Sequence, residues 1–199
     1  VIVVDDCSTD NSVEVVESFS ERFGGRLRVI KLPQNTGTPG IPRNFGIRAA
    51  RGKYIAFLDS DDLYTKTALE EMYSLAKEYD ADVVYCEKHY TSSGVGEEYV
   101  RNIRLADKKI QKPPYVKKPL LISSDFNERI EYLQRVWPAP WLKLVRRKLI
   151  VENNLFFPPL TISDDDIWTC GLIFYAKKFL RVPNAVYIRR MSETSITGI

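Results

Sequence analysis

The amino-acid sequence predicts an α/β fold in which helices flank a mostly parallel β-sheet. Over residues 1–88, short β-branched apolar runs alternate with segments whose apolar residues follow a helical spacing. The links between these segments are short, as in βαβ units. The length of 199 residues suits one domain, and a hydrophobic content of 44% is enough to form a core.

Strands and helices are predicted in strict alternation up to residue 88. Apolar runs predict strands at residues 1–4, 27–32, 54–58 and 83–86, and helical spacing predicts helices at residues 11–23, 43–51 and 67–79. Gly24 and Gly25 end the first helix, and Gly52 ends the second. Thr67 and Glu70 form a capping-box pattern at the start of the third.

The alternation is lost after His89. Residues 90–128 are rich in Gly, Ser, Lys and Pro, and we expect an irregular excursion with up to two edge strands. Beyond it, helices are predicted at residues 126–136, 147–153 and 165–178, and strands at residues 141–145 and 185–189. Trp137 and Trp141 are candidates either to stack on sugar faces or to pack in the core.

Composition excludes several classes of protein. With 29 Lys and Arg against 26 Asp and Glu the net charge is +3, which gives no reason to expect a nucleic-acid partner. No apolar run is long enough to span a bilayer, and the three separated cysteines are typical of a reduced, cytoplasmic protein. The single histidine excludes multi-histidine zinc sites. The chain opens directly in a strand pattern, so we expect a preceding segment to be missing.

Two acidic clusters follow predicted strands. Asp5 and Asp6 end the first strand, and Asp59, Asp61 and Asp62 end the strand YIAFL. Ligands in open α/β sheets bind beyond the carboxyl ends of strands, and Mg²⁺ prefers carboxylate oxygens together with substrate phosphates. The second cluster therefore predicts a cation-assisted site. The alternative for both clusters is ordinary turn chemistry or a solvated acidic loop.

A third acidic cluster, Asp164 to Asp166, begins the helix predicted near residue 165. One interpretation is helix capping, since Ser163 is a good N-cap and carboxylates in a first turn suit the helix dipole. The other is a general base held beside a cation site. Arg43, which follows a Gly/Pro-rich loop, either positions an anionic or heterocyclic group or is a plain surface arginine.

Several of these motifs, in this order, resemble one family. VIVVDDCSTDNS and NTGTPGIPRNFGIRAARGKYIAFLDSDD resemble the nucleotide-binding half of family 2 glycosyltransferases, which have the GT-A fold, a Rossmann-like arrangement. WLKLVRRKLIVENNLFFPP, ISDDDIW and YIRRMSETSIT resemble the acceptor-side half. The resemblance covers residues 1–88 and 137–197. It implies one catalytic domain over residues 1–199, with a nucleotide-binding half at 1–88 and an acceptor-side half at 89–199. It also implies that the family's first strand is absent from this chain.

The resemblance assigns donor-side roles by position. Asp5 and Asp6 match the motif that meets the nucleotide base, commonly uracil, and Arg43 and Asn44 match a pair beside the nucleotide. Asp59 and Asp61 match the DxD motif, in which Asp59 approaches the ribose and both serve the Mg²⁺ or Mn²⁺ site. Arg190, or its neighbour Arg189, followed by residues 192–197, matches a segment that lies over the diphosphate in relatives.

On the acceptor side, the resemblance places the catalytic base at Asp165, with Asp164 where the family usually has Glu. The implied reaction is an inverting displacement that moves one sugar from a nucleotide-sugar, commonly a UDP-sugar, to a hydroxyl of a saccharide, glycolipid or other acceptor. The QxxRW signature of processive synthases is absent, so we expect one sugar per encounter. Bacterial cell-surface polysaccharide or glycolipid assembly is the implied setting.

Other interpretations stay open at this stage. A phosphatase-like α/β domain would need Thr at position 63, where this chain has Leu63. A non-catalytic nucleotide-binding module of the same fold is a further alternative. Tyr90, Tyr99, Arg101, Lys117 and Lys118 in the excursion are candidates for peripheral contact with the inner face of a membrane. The sequence does not predict an oligomeric state.

Overall fold

The computed structural model of this protein describes residues 1–93, 98, 101–106, 116–160 and 162–191. The strands in these ranges are β1 (Ile2–Asp5), β2 (Arg28–Lys31), β3 (Tyr54–Ala56), β4 (Leu63–Tyr64), β5 (Val83–Ser92), β6 (Arg104–Leu105), β7 (Leu120–Ile122), β8 (Lys143–Arg146) and β9 (Phe179–Arg190). The helices are α1 (Ser12–Glu17), α2 (Gly40–Ala49), α3 (Ala68–Glu78), α4 (Phe126–Leu133), α5 (Arg147–Glu152) and α6 (Asp164–Tyr175).

The α/β class is confirmed, but the sheet is mixed rather than mostly parallel. β1 and β2 form a parallel pair, and the larger sheet has the order β3-β8-β5-β9-β4, with β6 beside β5 and β7 beside β9. In that sheet only the β5–β9 pair is parallel. β8 returns between β3 and β5 and runs antiparallel to both, and the short strands β4, β6 and β7 also pair antiparallel with their neighbours.

Most predicted elements are present with altered bounds. The first predicted helix is divided into α1 and a 3-10 turn at Glu21–Phe23, and Gly24 in the left-handed region ends that turn. Thr67 stands at the N-cap of α3 without a capping hydrogen bond, because its hydroxyl donates to Glu71 at 2.6 Å. β5 and β9 are much longer than predicted, because the two strands pair with each other along most of their length. The two short strands of the excursion, β6 and β7, are confirmed.

An aromatic cluster lies directly beneath the acidic loops. The rings of Phe157 and Trp168 stack at 4.6 Å, and the edge of Phe57 meets both, at 5.6 and 5.4 Å. These three residues belong to three segments that are distant in sequence: the strand end before Asp59, the segment before α6, and α6 itself. Burial of such large rings contributes strongly to stability and fixes the relative position of the segments.

The ranges of the chain described above include no helix long and apolar enough to cross a membrane.

Candidate active site

The loop that follows β3 carries three carboxylates in three different environments. Asp59 is half-buried, Asp61 is exposed, and Asp62 is only 8% exposed. The amide of Asp62 donates to the carbonyl of Asp59 at 3.1 Å, which closes the loop into a turn. The turn leaves the Asp61 side chain directed away from the buried core, open to a ligand.

Asp62 ties this loop to the end of β9. Its Oδ2 accepts from the Tyr187 hydroxyl at 2.7 Å, and its Oδ1 accepts from the amide of Arg190 at 2.6 Å. Burial raises the pKa of Asp62, although both hydrogen bonds act in the other direction. The same tyrosine hydroxyl accepts from the amide of Asp59 at 3.3 Å. Tyr187 therefore fixes both ends of the acidic turn.

Arg43 connects the second and third acidic clusters. Its guanidinium lies 3.0 Å from Oδ1 of Asp59 and 3.9 Å from Oδ2 of Asp164. The Arg43 side chain is only 15% exposed and lies over the ring of Phe157, at 5.5 Å from its centroid. One cation between two carboxylates reduces their mutual repulsion, so Arg43 holds the strand-end turn beside the start of α6.

The segment before α6 is fastened to α2 and to the Gly/Pro-rich loop that precedes it by the side chains of Asn44 and Thr38. The Asn44 amide donates to the carbonyl of Phe157 at 2.8 Å and accepts from its backbone N–H at 2.9 Å. The hydroxyl of Thr38 donates to the carbonyl of Leu160 at 2.6 Å. A Cβ added to Gly40 would lie 2.6 Å from Oδ2 of Asp164, so only glycine permits this close approach.

Asp5 and Asp6, at the end of β1, lie on the neighbouring strand pair. Both oxygens of Asp6 accept from the amide of Thr36 at 3.1 Å, and Oδ2 also accepts from its hydroxyl at 3.0 Å. Asp5 accepts from the amide of Ser8 at 3.2 Å. Asp6 therefore shapes the loop that leads into Arg43, and Asp5, half-buried, has the less engaged carboxylate.

The three aspartates at the start of α6 also differ in environment. Asp164 is 4% exposed, and its Oδ1 accepts from the amide of Asp165 at 2.9 Å. Burial raises the pKa of Asp164, and the nearby Arg43 lowers it. Asp165 is partly buried, and Asp166 is exposed. Ser163 occupies the N-cap position in the left-handed region without a capping hydrogen bond, so the expected Ser163 cap is wrong. The carboxylates do lie in the first helical turn, where the Asp165 carboxylate also accepts from the amide of Asp166 at 3.0 Å.

Arg190 reaches the site through its backbone. Its amide binds Asp62, and its side chain is exposed at the end of β9. The expectation for residues 192–197 lies outside the described residues, as does Tyr99 of the excursion.

Two structural supports of the site carry no clear sequence signal. Tyr187 stacks on Trp141 at 4.2 Å, so Trp141 is a core residue. Lys143 is fully buried, and its Nζ donates to the carbonyls of Trp137 at 2.7 Å and Ala139 at 2.9 Å. Burial lowers the pKa of Lys143 to about 7, although Asp165 and Asp166 raise it. An alternating strand pattern does not distinguish such a lysine from a solvated one.

The Thr169 hydroxyl adds a second connection to the turn from Trp137 to Ala139, whose carbonyls bind Lys143. It donates to the carbonyl of Pro138 at 2.7 Å, so α6 and Lys143 hold the same turn of chain. The Trp137 to Ala139 turn is therefore fixed relative to the helix that carries Asp165.

The donor set suits a cation that arrives with a phosphate ligand. Among the described residues, no group of three or more His, Cys, Asp or Glu is placed to hold a metal ion alone. Mg²⁺ commonly takes only one or two carboxylates and completes its shell with substrate phosphates and water. The exposed Asp61 carboxylate, with Asp59 two residues before it, fits that requirement.

This geometry agrees with a comparison of the chain with known families. The family model described as glycosyl transferase family 2 matches residues 1–137. The chain belongs to that family.

Individual relatives are similar to this chain in sequence. The chain is 29% identical to the uncharacterized glycosyltransferase YibD of Escherichia coli, over 100% of this chain and 55% of YibD. It is 30% identical to the poly(ribitol-phosphate) beta-N-acetylglucosaminyltransferase TarS of Staphylococcus aureus, over 94% of this chain and 29% of TarS. The chain thus spans about half or less of the length of these relatives.

Solved structures are similar to this chain in fold. TarS 1–349 in complex with UDP-GlcNAc superimposes with a TM-score of 0.76 and 28% identity, covering 98% of this chain and 50% of that one. A mannosyltransferase from Pyrobaculum calidifontis in complex with GDP-Man and Mn²⁺ has a TM-score of 0.61 and 18% identity, covering 98% of this chain and 48% of the other. The second likeness shows the fold alone. The GT-A-type fold is therefore confirmed.

Proposed function

We propose that this chain is the catalytic part of an inverting glycosyltransferase that moves one sugar from a UDP-sugar to an acceptor hydroxyl. The observation that carries the proposal is the Arg43 bridge between Asp59 and Asp164. It brings a strand-end carboxylate turn, suited to a nucleotide diphosphate, beside a second carboxylate cluster from a distant part of the chain. A single displacement needs both sites within one sugar of each other.

The nucleotide would bind between β1 and the acidic turn. Asp5 and Asp6 would meet the base, Asp6 chiefly through the loop that it orders. Asp59 would approach the ribose, and the exposed side chain of Arg190 would meet the diphosphate. Asn44 would act indirectly, because both polar ends of its amide already bind the Phe157 backbone.

Asp61 and Asp59 would hold Mg²⁺ or Mn²⁺. When bound, the cation would stabilise the negative charge that develops on the departing diphosphate. Asp62 is committed to Tyr187 and Arg190, so its role would be to fix the turn that presents Asp61.

Asp165 would remove the proton from the attacking hydroxyl. Of the three aspartates in the first turn of α6, Asp164 is buried against Arg43, whereas Asp165 is partly open. The deprotonated hydroxyl oxygen would form a bond to the anomeric carbon as the bond to the diphosphate breaks, with inversion at that carbon. Asp164 would position its neighbour through the hydrogen bond from the Asp165 amide.

The acceptor would be a saccharide, glycolipid or other polyhydroxyl compound in cell-surface polymer assembly. TarS is named for poly(ribitol-phosphate), which is one such acceptor. We place the reaction in the cytoplasm, with peripheral contact at the inner face of the membrane. Residues 1–88 would form the donor half and residues 89–199 the acceptor half of one domain.

Calorimetric titration with UDP, in Mn²⁺ and in EDTA, tests the donor site. We expect binding with Mn²⁺ that is lost in EDTA and in Asp61→Asn. Glu78→Gln, which removes one exposed carboxylate at the end of α3, is the matched control and should bind like wild type.

A sugar-transfer assay tests whether Asp165 is the catalytic base. With UDP-GlcNAc as donor and release of UDP as readout, Asp165→Asn should bind UDP normally and lose turnover. A folded chain that binds no nucleotide would contradict the UDP site, and normal turnover in Asp165→Asn would contradict the base. Binding without turnover in wild type would favour a non-catalytic nucleotide-binding module.

A further inference from the structure

A second concave site lies at the end of β3 that is opposite the acidic turn. The cleft has a volume of about 340 Å³ and is lined by Arg51, Gly52, Lys53, Arg146, Arg147 and Lys148. Lys53 directly precedes β3, whereas Asp59 follows it, so the length of the strand separates the two sites. Arg146 lies on β8, opposite Tyr54 of β3.

The positive charge around this cleft is only partly balanced. Arg146 pairs with Asp80 at 2.8 Å and with Asp82 at 2.9 Å, and Lys148 pairs with Glu152 at 3.5 Å. Arg51, Lys53 and Arg147 have no carboxylate partner among the residues that the structure describes. Like charges gathered at one concavity repel each other unless an anion neutralises them.

Arg147 is held in a position where it lacks an acceptor. Its backbone amide donates to the carbonyl of Lys53 at 2.9 Å, which fixes the residue at the edge of the cleft. Its side-chain Nε is buried and has no hydrogen-bond partner in the described part of the chain. A buried donor without a partner is unfavourable, and here it belongs to a side chain that lines the cleft. Nε itself is closed to solvent, so an oxyanion in the cleft would bind the part of the Arg147 guanidinium that lines it.

We propose that this cleft binds a phosphate group. A phosphate carries up to two negative charges and several acceptor oxygens, which match three unbalanced cations better than a single carboxylate does. The planar guanidinium groups of Arg51 and Arg147 suit phosphate geometry, and Lys53 adds a point charge. The phosphate belongs either to a soluble compound or to an anionic lipid headgroup, and the chemistry of recognition is the same for both.

Nuclear magnetic resonance titration with inorganic phosphate, at low chloride and without divalent cations, tests the site. The amides of Gly52 and Lys53 should shift with a saturable dependence, because both residues line the cleft. In Arg147→Gln the dissociation constant should rise about tenfold, and in Lys53→Gln severalfold, as expected when a charged hydrogen-bond partner is lost. Lys66→Gln removes an exposed charge elsewhere and should match wild type. Two variants are used so that a folding defect in one does not decide the result.

Vesicle flotation then identifies the source of the phosphate. Binding to phosphatidylglycerol vesicles but not to phosphatidylcholine vesicles, lost in Arg147→Gln, would assign the site to a lipid headgroup. Saturable phosphate binding without flotation would assign it to a soluble phosphate compound. The proposal is overturned if the Gly52 and Lys53 shifts do not saturate, or if Arg147→Gln and Lys53→Gln bind phosphate as Lys66→Gln does.

Discussion

Two arginine–carboxylate groups in this molecule use the same chemistry for different ends. Arg181 pairs with Glu87 where β9 and β5 run side by side, and the two side chains are only 2% and 3% exposed. Arg43 pairs with Asp59 and Asp164, whose side chains are 35% and 6% exposed. The first group is sealed in the core, and the second opens to solvent at Asp59.

The difference shows what each group can do. Both oxygens of Glu87 are engaged, because the second accepts from the amide of Val116 at 2.6 Å. Arg181 also covers the ring of Tyr132 at 5.1 Å. Such a pair orders the sheet. Arg43 leaves Asp59 partly exposed and brings two acidic segments together, so it organises a site that can still accept a ligand.

The largest effect is expected when the sealed pair is broken. Arg181→Met leaves the Glu87 carboxylate buried without its cation, so we expect a loss of about 3–5 kcal/mol in the free energy of unfolding. Urea denaturation measures it. The double variant Arg181→Met/Glu87→Met removes both charges and should recover most of the loss. A single variant as stable as wild type would show that the pair is not sealed in solution.

A pH titration tests how burial in the same core affects the protonation of His89. His89 lies two residues beyond Glu87 on β5, between the rings of Trp137 and Trp141, and burial lowers its pKa from 6.5 to about 4, with Arg189 acting in the same direction. The unfolded chain therefore binds more protons between these values, and stability should fall as the pH drops from 6.5 to 4. The loss is about 3 kcal/mol.

His89→Phe keeps the ring and removes the titration. The difference in unfolding free energy between wild type and this variant should change across that window and be constant above pH 7. The difference cancels the contributions of Asp62 and Asp164, which are common to both chains. A constant difference at all pH values would show that His89 titrates normally.

An intermediate effect is expected at the open group. Arg43→Gln frees Asp59 and Asp164 from their shared cation, so the acidic turn and α6 lose a charged link. We expect UDP affinity in Mn²⁺ to weaken about tenfold, or about 1.4 kcal/mol, with a loss of about 1.5–3 kcal/mol in the free energy of unfolding, because the carboxylates lose a charged hydrogen-bond partner and Asp164 is buried. Arg48→Gln, on the same helix, is the control. Unchanged UDP affinity would show that Arg43 does not support donor binding.

The contrast between these regions also marks how far the sequence could predict the molecule. Acidic residues after an apolar strand are a local pattern, so Asp59 and Asp61 were predictable as candidates. The pairing of Arg43 with Asp164 depends on how distant segments pack, which no local pattern encodes. For the same reason the acidic pattern by itself did not distinguish Asp61 from Asp62, and only the family resemblance singled out Asp61. In the structure Asp61 is exposed, whereas Asp62 binds Tyr187.

The fold shows the same limit. Local apolar patterns predicted most strands and helices, because strand and helix periodicities are properties of short segments. The expectation of a mostly parallel sheet was wrong, since β8 runs antiparallel to both β3 and β5. Strand direction depends on the connections between elements, and the loop from Trp137 to Ala139 lies in the connection that precedes β8. That loop is fixed by Lys143 and Thr169 through backbone carbonyls, contacts that leave no periodic signal.

The smallest effect is expected at the hydroxyl that links the core to the acidic turn. Tyr187→Phe keeps the stack on Trp141 but removes the donor to Asp62 and the acceptor for the Asp59 amide. We expect a loss of about 1 kcal/mol in the free energy of unfolding and a modest weakening of metal-dependent UDP binding, both measurable on one preparation. Tyr85→Phe is the matched control, because its hydroxyl accepts from the Trp137 amide at 2.9 Å, away from the acidic turn. It should lose similar stability and retain UDP affinity; equal affinity in both variants would mean that the position of the acidic turn does not depend on Tyr187.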